Sequence, residues 1–239
     1  MNNFKIIEPK RIKFLKEDAV KNLRKDIEEK RIFGIGEVHG VADNADLYFS
    51  FIGEFGFEAI ALEYPVECLD DLMKFLETGD YPKHWFFHEI NDGRFSHEML
   101  SMLKALFDAK KLKKVICYDK RKDTTVWNER DQDYADAFAE QYDPSLKTLI
   151  IGGGHHIKTE PFEVEYEEGT LYPMCYHLKQ KYGTFPTSEI TYTGGEFYNF
   201  EKQQFADYDF PEEEGSLIKA DEDYKYHFIL RNVKAVSVD

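Results

Sequence analysis

The sequence predicts an α/β fold with a largely parallel central sheet flanked by helices and mixed strands added by the C-terminal part. Three observations predict it. Short apolar runs of strand length alternate with stretches at helical spacing from residue 17 to residue 153. Four of those runs end in, or turn straight into, an ionisable side chain: Glu37 with His39, Glu63, Asp119 and His155. No repeat, low-complexity tract or linker interrupts the chain, so residues 1–239 read as one domain with an elaborated C-terminal part.

The first element is a helix over 17–30, where Val20, Leu23 and Ile27 share one face. RIFGIGE (31–37) follows as a short buried strand. Helical spacing returns over 44–56 through Leu47, Phe51 and Phe55, and FEAIALE (57–63) is the second strand. Pro65 suits the first turn of a helix burying Val66, Leu69, Met73 and Leu76, with Gly79 to close it. Ser96 is placed to cap a helix with Met99, Leu100, Leu103 and Phe107 inward. KKVICYD (113–119) is the third strand, 127–141 a helix, and KTLIIGG (147–153) the fourth strand. Beyond it the pattern loosens. Residues 159–170 read as an acidic loop or hairpin and 171–182 as a helix ended by Gly183. Residues 189–200 read as one or two strands with a glycine turn or bulge, and 226–230 as a last strand. PEEEG (211–215) and DEDY (221–224) read as solvated surface.

Composition narrows the function. Hydrophobic residues are 42% of the chain and aromatics 15%, which is ample for a core, while the formal charge is −15. That charge repels a phosphate backbone and anionic lipid, so neither nucleic acid nor a membrane is expected as a partner. A small-molecule or peptide substrate is. The segment MNNFKIIEPKRIKF is charged throughout and lacks a signal peptide's apolar stretch, and Cys68, Cys117 and Cys175 form no CxxC pair. Both point to a reducing, cytoplasmic compartment.

The chemistry is expected beyond the carboxyl ends of the strands, where connections in an open α/β sheet diverge and ligands bind. Water alone accounts for one polar strand end; four, two of them with matching histidines, suggest convergence. Gly36-Glu37-Val38-His39 and Gly152-Gly153-Gly154-His155 are both G-x-x-H turns leaving an apolar strand. Imidazoles beside carboxylates suit acid–base catalysis and divalent-metal ligation alike. His39, Glu63 and His155 are the candidate metal ligands, and His156 is the alternative to His155. Asp119 would orient an imidazole. Arg130, sharing a helix face with Tyr134 and Phe138, would hold an anionic group or a developing oxyanion. YPKHWFFHEINDGRF (81–95) reads as loop core or as a lid. There is no GxSxG elbow and no P-loop, and Gly34-Ile35-Gly36 fits a dinucleotide fingerprint poorly because His39 stands at its third glycine.

GIGEVHG (34–40), ALEYP (61–65), ERDQDYADA (129–137) and IIGGGHHIK (150–158), in this order, resemble one superfamily. It joins erythromycin esterases, ChaN-type haem-binding proteins and Tiki/TraB-type metalloproteases. The resemblance implies a helix-flanked sheet with its site at one rim, and by position it marks Glu37, His39, Glu63, Arg130 and His155. GEVHG is one residue shorter than the esterases' GExxHG and nearer the ChaN-like and Tiki-like spacing. The expectation is a hydrolase of an ester or amide-type substrate, activating water with a Glu/His cluster and assisted by a divalent metal ion. The alternative is a non-catalytic protein that binds haem or another metallated ligand at the same rim.

Overall fold

The structure, a computed structural model, describes residues 6–89, 92–120, 126–165, 169–207, 211–219 and 224–237. Residues 1–5 of the charged N-terminus, 166–168 of the acidic loop and 221–223 of DEDY lie outside the described residues.

Along the chain run α1 (Glu17–Lys30), β1 (Ile32–Glu37), α2 (Asp43–Phe55), β2 (Ala59–Pro65), a 3₁₀ turn (Val66–Cys68) and α3 (Leu69–Thr78). The short α4 (Phe86–Glu89), α5 (His97–Asp108), β3 (Lys114–Asp119), α6 (Trp127–Gln141), β4 (Thr148–Gly153) and the four-residue α7 (Gly154–Ile157) follow. Then come α8 (Met174–Tyr182), β5 (Thr187–Asn199), β6 (Glu201–Gln204), β7 (Leu217–Lys219) and β8 (Tyr226–Val233). The sheet order is β3-β2-β4-β1-β5-β8-β7, with β6 paired to β5. All neighbours are parallel except β7 on β8 and β6 on β5, so the expected parallel sheet with mixed C-terminal strands is present.

Local signals account for some of the element ends. Ser96 Oγ accepts the Met99 amide at 3.1 Å, as an N-cap should. Gly79 closes α3 in the left-handed region, its N–H bonded to the Phe75 carbonyl. Pro65 departs from expectation. It pairs with Asp119 as the last residue of β2, and a 3₁₀ turn precedes α3. In 189–200 the strand is continuous, and its turn falls at Phe200, which has a positive φ, before β6. Neither β6 nor β7 shows in the hydrophobic pattern, because β6 is exposed along its whole length and β7 has only three residues.

The sheet separates two cores. On one face α1, α2, α3 and α5 bury Phe33, Phe51, Phe57 and Phe228; Phe51 stacks on Phe57 at 5.4 Å and meets Phe228 edge-on at 5.3 Å. On the other, α6, α7 and α8 bury Ile116, Tyr118, Phe138 and Ile157. A Cβ on Gly34 would lie 2.9 Å from Ile157 Cγ2, and one on Gly36 would lie 2.9 Å from Gly154 Cα. The GIG run therefore lets α7 rest directly on β1 and serves packing rather than a phosphate cradle.

The topology also sets the rim. From β1 the chain passes over the place of β4 to reach β2, then returns after β3 to insert β4 between them. Connections diverge beyond the carboxyl ends of β1, β4 and β2, which opens space there.

Candidate active site

Glu37 ends β1 and is held from α2. Asn44 Nδ2 donates to its Oε2 at 2.9 Å, and the Tyr48 hydroxyl donates to the same oxygen. Burial and the adjacent Glu37 charge push the Tyr48 phenol well above its ordinary range, so it stays a donor. The other oxygen of Glu37 faces His39 Nδ1 at 2.9 Å. That fixes the ring and leaves Nε2 turned inward, 3.6 Å from Glu63 Oε2.

Glu63, 8% exposed in the buried run of β2, sits at the centre. Its Oε2 accepts the Gly153 amide at 3.0 Å. Its Oε1 lies 3.7 Å from His156 Nε2 and 3.8 Å from Arg94 Nη1. His156 comes from α7, and its Nδ1 lies 2.5 Å from Oδ1 of Asp131. Asp131, on α6, has no exposed surface, and its second oxygen accepts from Trp127 Nε1 at 3.2 Å and the Met174 amide at 3.1 Å. Trp127 stacks on the His156 ring at 5.2 Å. Two carboxylate–imidazole pairs, Glu37–His39 and Asp131–His156, thus face opposite oxygens of one glutamate. Gly153 lies between them. A Cβ there would come within 3.4 Å of His39 Nε2 and 3.6 Å of His156 Cδ2.

The charges are set by these contacts. Burial lowers the His39 pKa, but the bonds to Glu37 and Glu63 outweigh it and raise it from 6.5 to about 10. Burial likewise opposes the charge of His156, and Asp131 with Glu63 raises it nonetheless. Burial would raise Glu63; His156, His39 and Arg94 hold it well below the usual carboxylate range. At neutral pH Glu63 is therefore a carboxylate beside the His39 imidazolium, and the same contacts favour charge on His156.

Several expectations need correction here. Of the adjacent pair, the histidine that reaches Glu63 is His156 and not His155. His155, one residue earlier on α7, packs on the rings of Phe162 at 5.1 Å and Trp127 at 5.8 Å. On a helical turn the two adjacent side chains diverge by roughly 100°. Burial, Lys158 and His156 lower the His155 pKa, the opposite of its neighbour. Asp119, expected to orient an imidazole, instead binds the Arg94 guanidinium at 3.0 Å. Arg130 lies over the Trp127 ring, 4.5 Å from its centroid, with its Nε buried and without a hydrogen-bond partner. It is beside the cluster, at the edge of His156's partners.

Residues not singled out from sequence complete the site. Arg94 ties Asp119, Asp92 (2.8 Å) and the Glu63 carbonyl (3.4 Å) together. Its only sequence signal is a cation in an aromatic run, 81–95, whose Phe86, Phe87 and Phe95 prove to be core. His84 and His88 make local bonds, to the Phe86 amide and near the Pro82 carbonyl. Asn44 and Tyr48 are polar groups four apart on the buried face of α2, a spacing that could have marked them. Tyr192 supports them, donating to Asn44 Oδ1 at 3.0 Å and accepting the Val38 amide at 3.2 Å.

Among the described residues no group of three or more His, Cys, Asp or Glu side chains is arranged to hold a metal ion. Both Nδ1 atoms are committed to carboxylates and both Nε2 atoms face Glu63. Among the described residues, too, no helix is long and apolar enough to cross a membrane.

No protein-family model and no curated protein sequence matches the chain. Solved structures do. A protein described as a succinoglycan biosynthesis protein superposes over 100% of this chain and 95% of its own, with a TM-score of 0.68 at 12% identity. A Bacillus cereus protein covers 96% of both chains, with a TM-score of 0.60 at 10% identity. A mutant of the erythromycin esterase EreC in its open conformation covers 76% of both, with a TM-score of 0.55 at 12% identity. The chain therefore has the erythromycin esterase-like fold that its motifs resemble. At these identities the likeness is one of fold.

Proposed function

We propose that the protein is a hydrolase of an ester or amide-type small substrate, in which the two imidazoles of the Glu37–His39 and Asp131–His156 pairs divide the proton transfers. The observation that carries this reading is the arrangement itself. Each ring is fixed by a buried carboxylate at Nδ1, and the two Nε2 atoms approach the two oxygens of Glu63 at 3.6 and 3.7 Å. Carboxylate-oriented imidazoles are the usual groups for moving protons to and from a reacting carbonyl.

In this reading His39 acts in its neutral form. Its Nε2 takes a proton from water as the water oxygen bonds to the substrate carbonyl carbon. His156, as imidazolium, gives the Nε2 proton to the leaving oxygen or nitrogen as that bond breaks. Glu37 and Asp131 hold the rings, and Glu63 stabilises whichever ring is charged. Trp127 and Arg130 border His156 and would meet the part of the substrate beyond the scissile bond. Each of these steps uses side chains of this chain alone. The fold shared with an erythromycin esterase supports hydrolysis without specifying the substrate.

The test is a panel of carboxylic esters, short peptides and phosphoesters assayed with the wild type and with His39→Ala and His156→Ala. Ester or amide turnover that falls by about 10²-fold or more in each variant is expected. Wild-type inertness across the panel, or undiminished turnover in both variants, overturns the reading.

A further inference from the structure

A cavity of about 220 Å³ lies among the N-terminal segment, α1, α2 and the turn that follows α5, and shares no residue with the cluster around Glu63. Its walls carry Arg11, Lys13 and Lys111, and its apolar side is Phe14, Val20 and Phe49. The chain has 46 acidic and 31 basic side chains, so a cation on its surface readily finds a carboxylate. Among the described residues, these three pair with none. The one acid on the wall, Glu54, is already taken by Arg24, whose Nη2 lies 2.5 Å from its Oε1.

The segment bearing two of the cations is fixed rather than loose. The Ile12 amide donates to Ser50 Oγ and the Lys10 amide to Asp46 Oδ1, both at 2.8 Å, which ties residues 10–12 to α2. Phe14 anchors the same segment on Phe51 at 5.9 Å. Across the cavity, α2 carries a glycine in its last turn, Gly53, where alanine or leucine would suit the helix better. A Cβ there would have one neighbour within 4 Å, Lys111 Nζ at 3.7 Å. The glycine thus opens the space into which Lys111 directs its ammonium group.

The geometry points to a second binding site here, for a small organic anion with an apolar body, a phosphate monoester or a carboxylate. Three exposed cations line space bordered on one side by aromatic and aliphatic carbon. That combination matches a charged head on a short hydrophobic body better than an inorganic ion. The cavity is below the range of drug-sized sites, which sets the ligand's size. The site stands independently of the hydrolase reading.

The test is titration of the full chain with phenyl phosphate and with benzoate, followed by amide ¹H–¹⁵N shifts. Saturable shifts confined to Ile12, Gly53, Lys111 and their neighbours are expected with at least one of the two probes. Benzyl alcohol and inorganic phosphate should each bind at least tenfold more weakly. Charge reversal in Lys13→Glu/Lys111→Glu should weaken binding at least tenfold, and Gly53→Leu, which suits the helix, should abolish it by filling the space. Shifts centred on His39 and Gly153, equal binding of benzyl alcohol or inorganic phosphate, or unchanged affinity in the charge-reversed protein would each overturn the inference. So would no saturable shift with either probe.

Discussion

Asp131 Oδ1 lies 2.5 Å from His156 Nδ1, and the carboxylate has no exposed surface. Its second oxygen also holds Trp127 and the first amide of α8, so one side chain joins α6, α7 and α8. Asp131→Ala should therefore destabilise the fold by about 3–5 kcal/mol, the cost of stripping one partner from a buried ion pair. Urea unfolding measures this. A loss below about 1 kcal/mol would show that the pair is not buried as described.

Glu63→Gln separates charge from shape. The amide fills the same volume but no longer stabilises imidazolium, so the pKa values of both His39 and His156 should fall. Imidazole carbon and nitrogen shifts followed through a pH titration read both rings at once. A change in only one of them would break the symmetry claimed for the site.

Stability should depend on pH through His39. Its folded pKa of about 10 exceeds the ordinary 6.5, so the folded protein binds more protons between those values. The contribution is fully present below pH 6.5, declines as pH rises, and is gone above about 10. Glu63 works the other way, since its depressed pKa gives stability that is lost only as pH falls through the acid range. Unfolding free energies of wild type and His39→Gln should converge as pH rises from 6.5 to 10. Parallel curves would refute the raised value.

Turnover should follow a bell in pH, rising as neutral His39 becomes available to accept a proton from water and falling as His156 loses the proton it donates. A profile that lacks either limb would remove one of the two rings from the proton transfers.

Gly153→Ala tests the space itself. The backbone there, φ −53 and ψ 141, accepts alanine, and the new methyl would lie 3.4 Å from His39 Nε2. Stability should change by less than about 1 kcal/mol, while turnover falls at least tenfold as the methyl occupies the place of the attacking water.

Sequence periodicity made the first four strands and their helices legible, since each is apolar over its full length or on one stripe. The weakly apolar C-terminal strands were only partly so. The rim was legible because a buried strand ending in Glu37 or Glu63 is unusual enough to notice. The choice between His155 and His156 was not, because GGGHHI does not say where the turn of α7 begins, and a shift of one residue exchanges the two rings. Arg94 was hidden for another reason. Its value lies in meeting Asp119 and Glu63, and those encounters exist only after the chain has closed.

The bare face of β1 at Gly34 and Gly36 has one more consequence. With no side chain between them, the little helix bearing His156 and the strand leading to His39 touch atom to atom. The two rings are therefore mounted on a common anvil, and neither can be retuned by lengthening a loop. Diversification among proteins built this way would have to come from the walls around the mouth, with the anvil left alone.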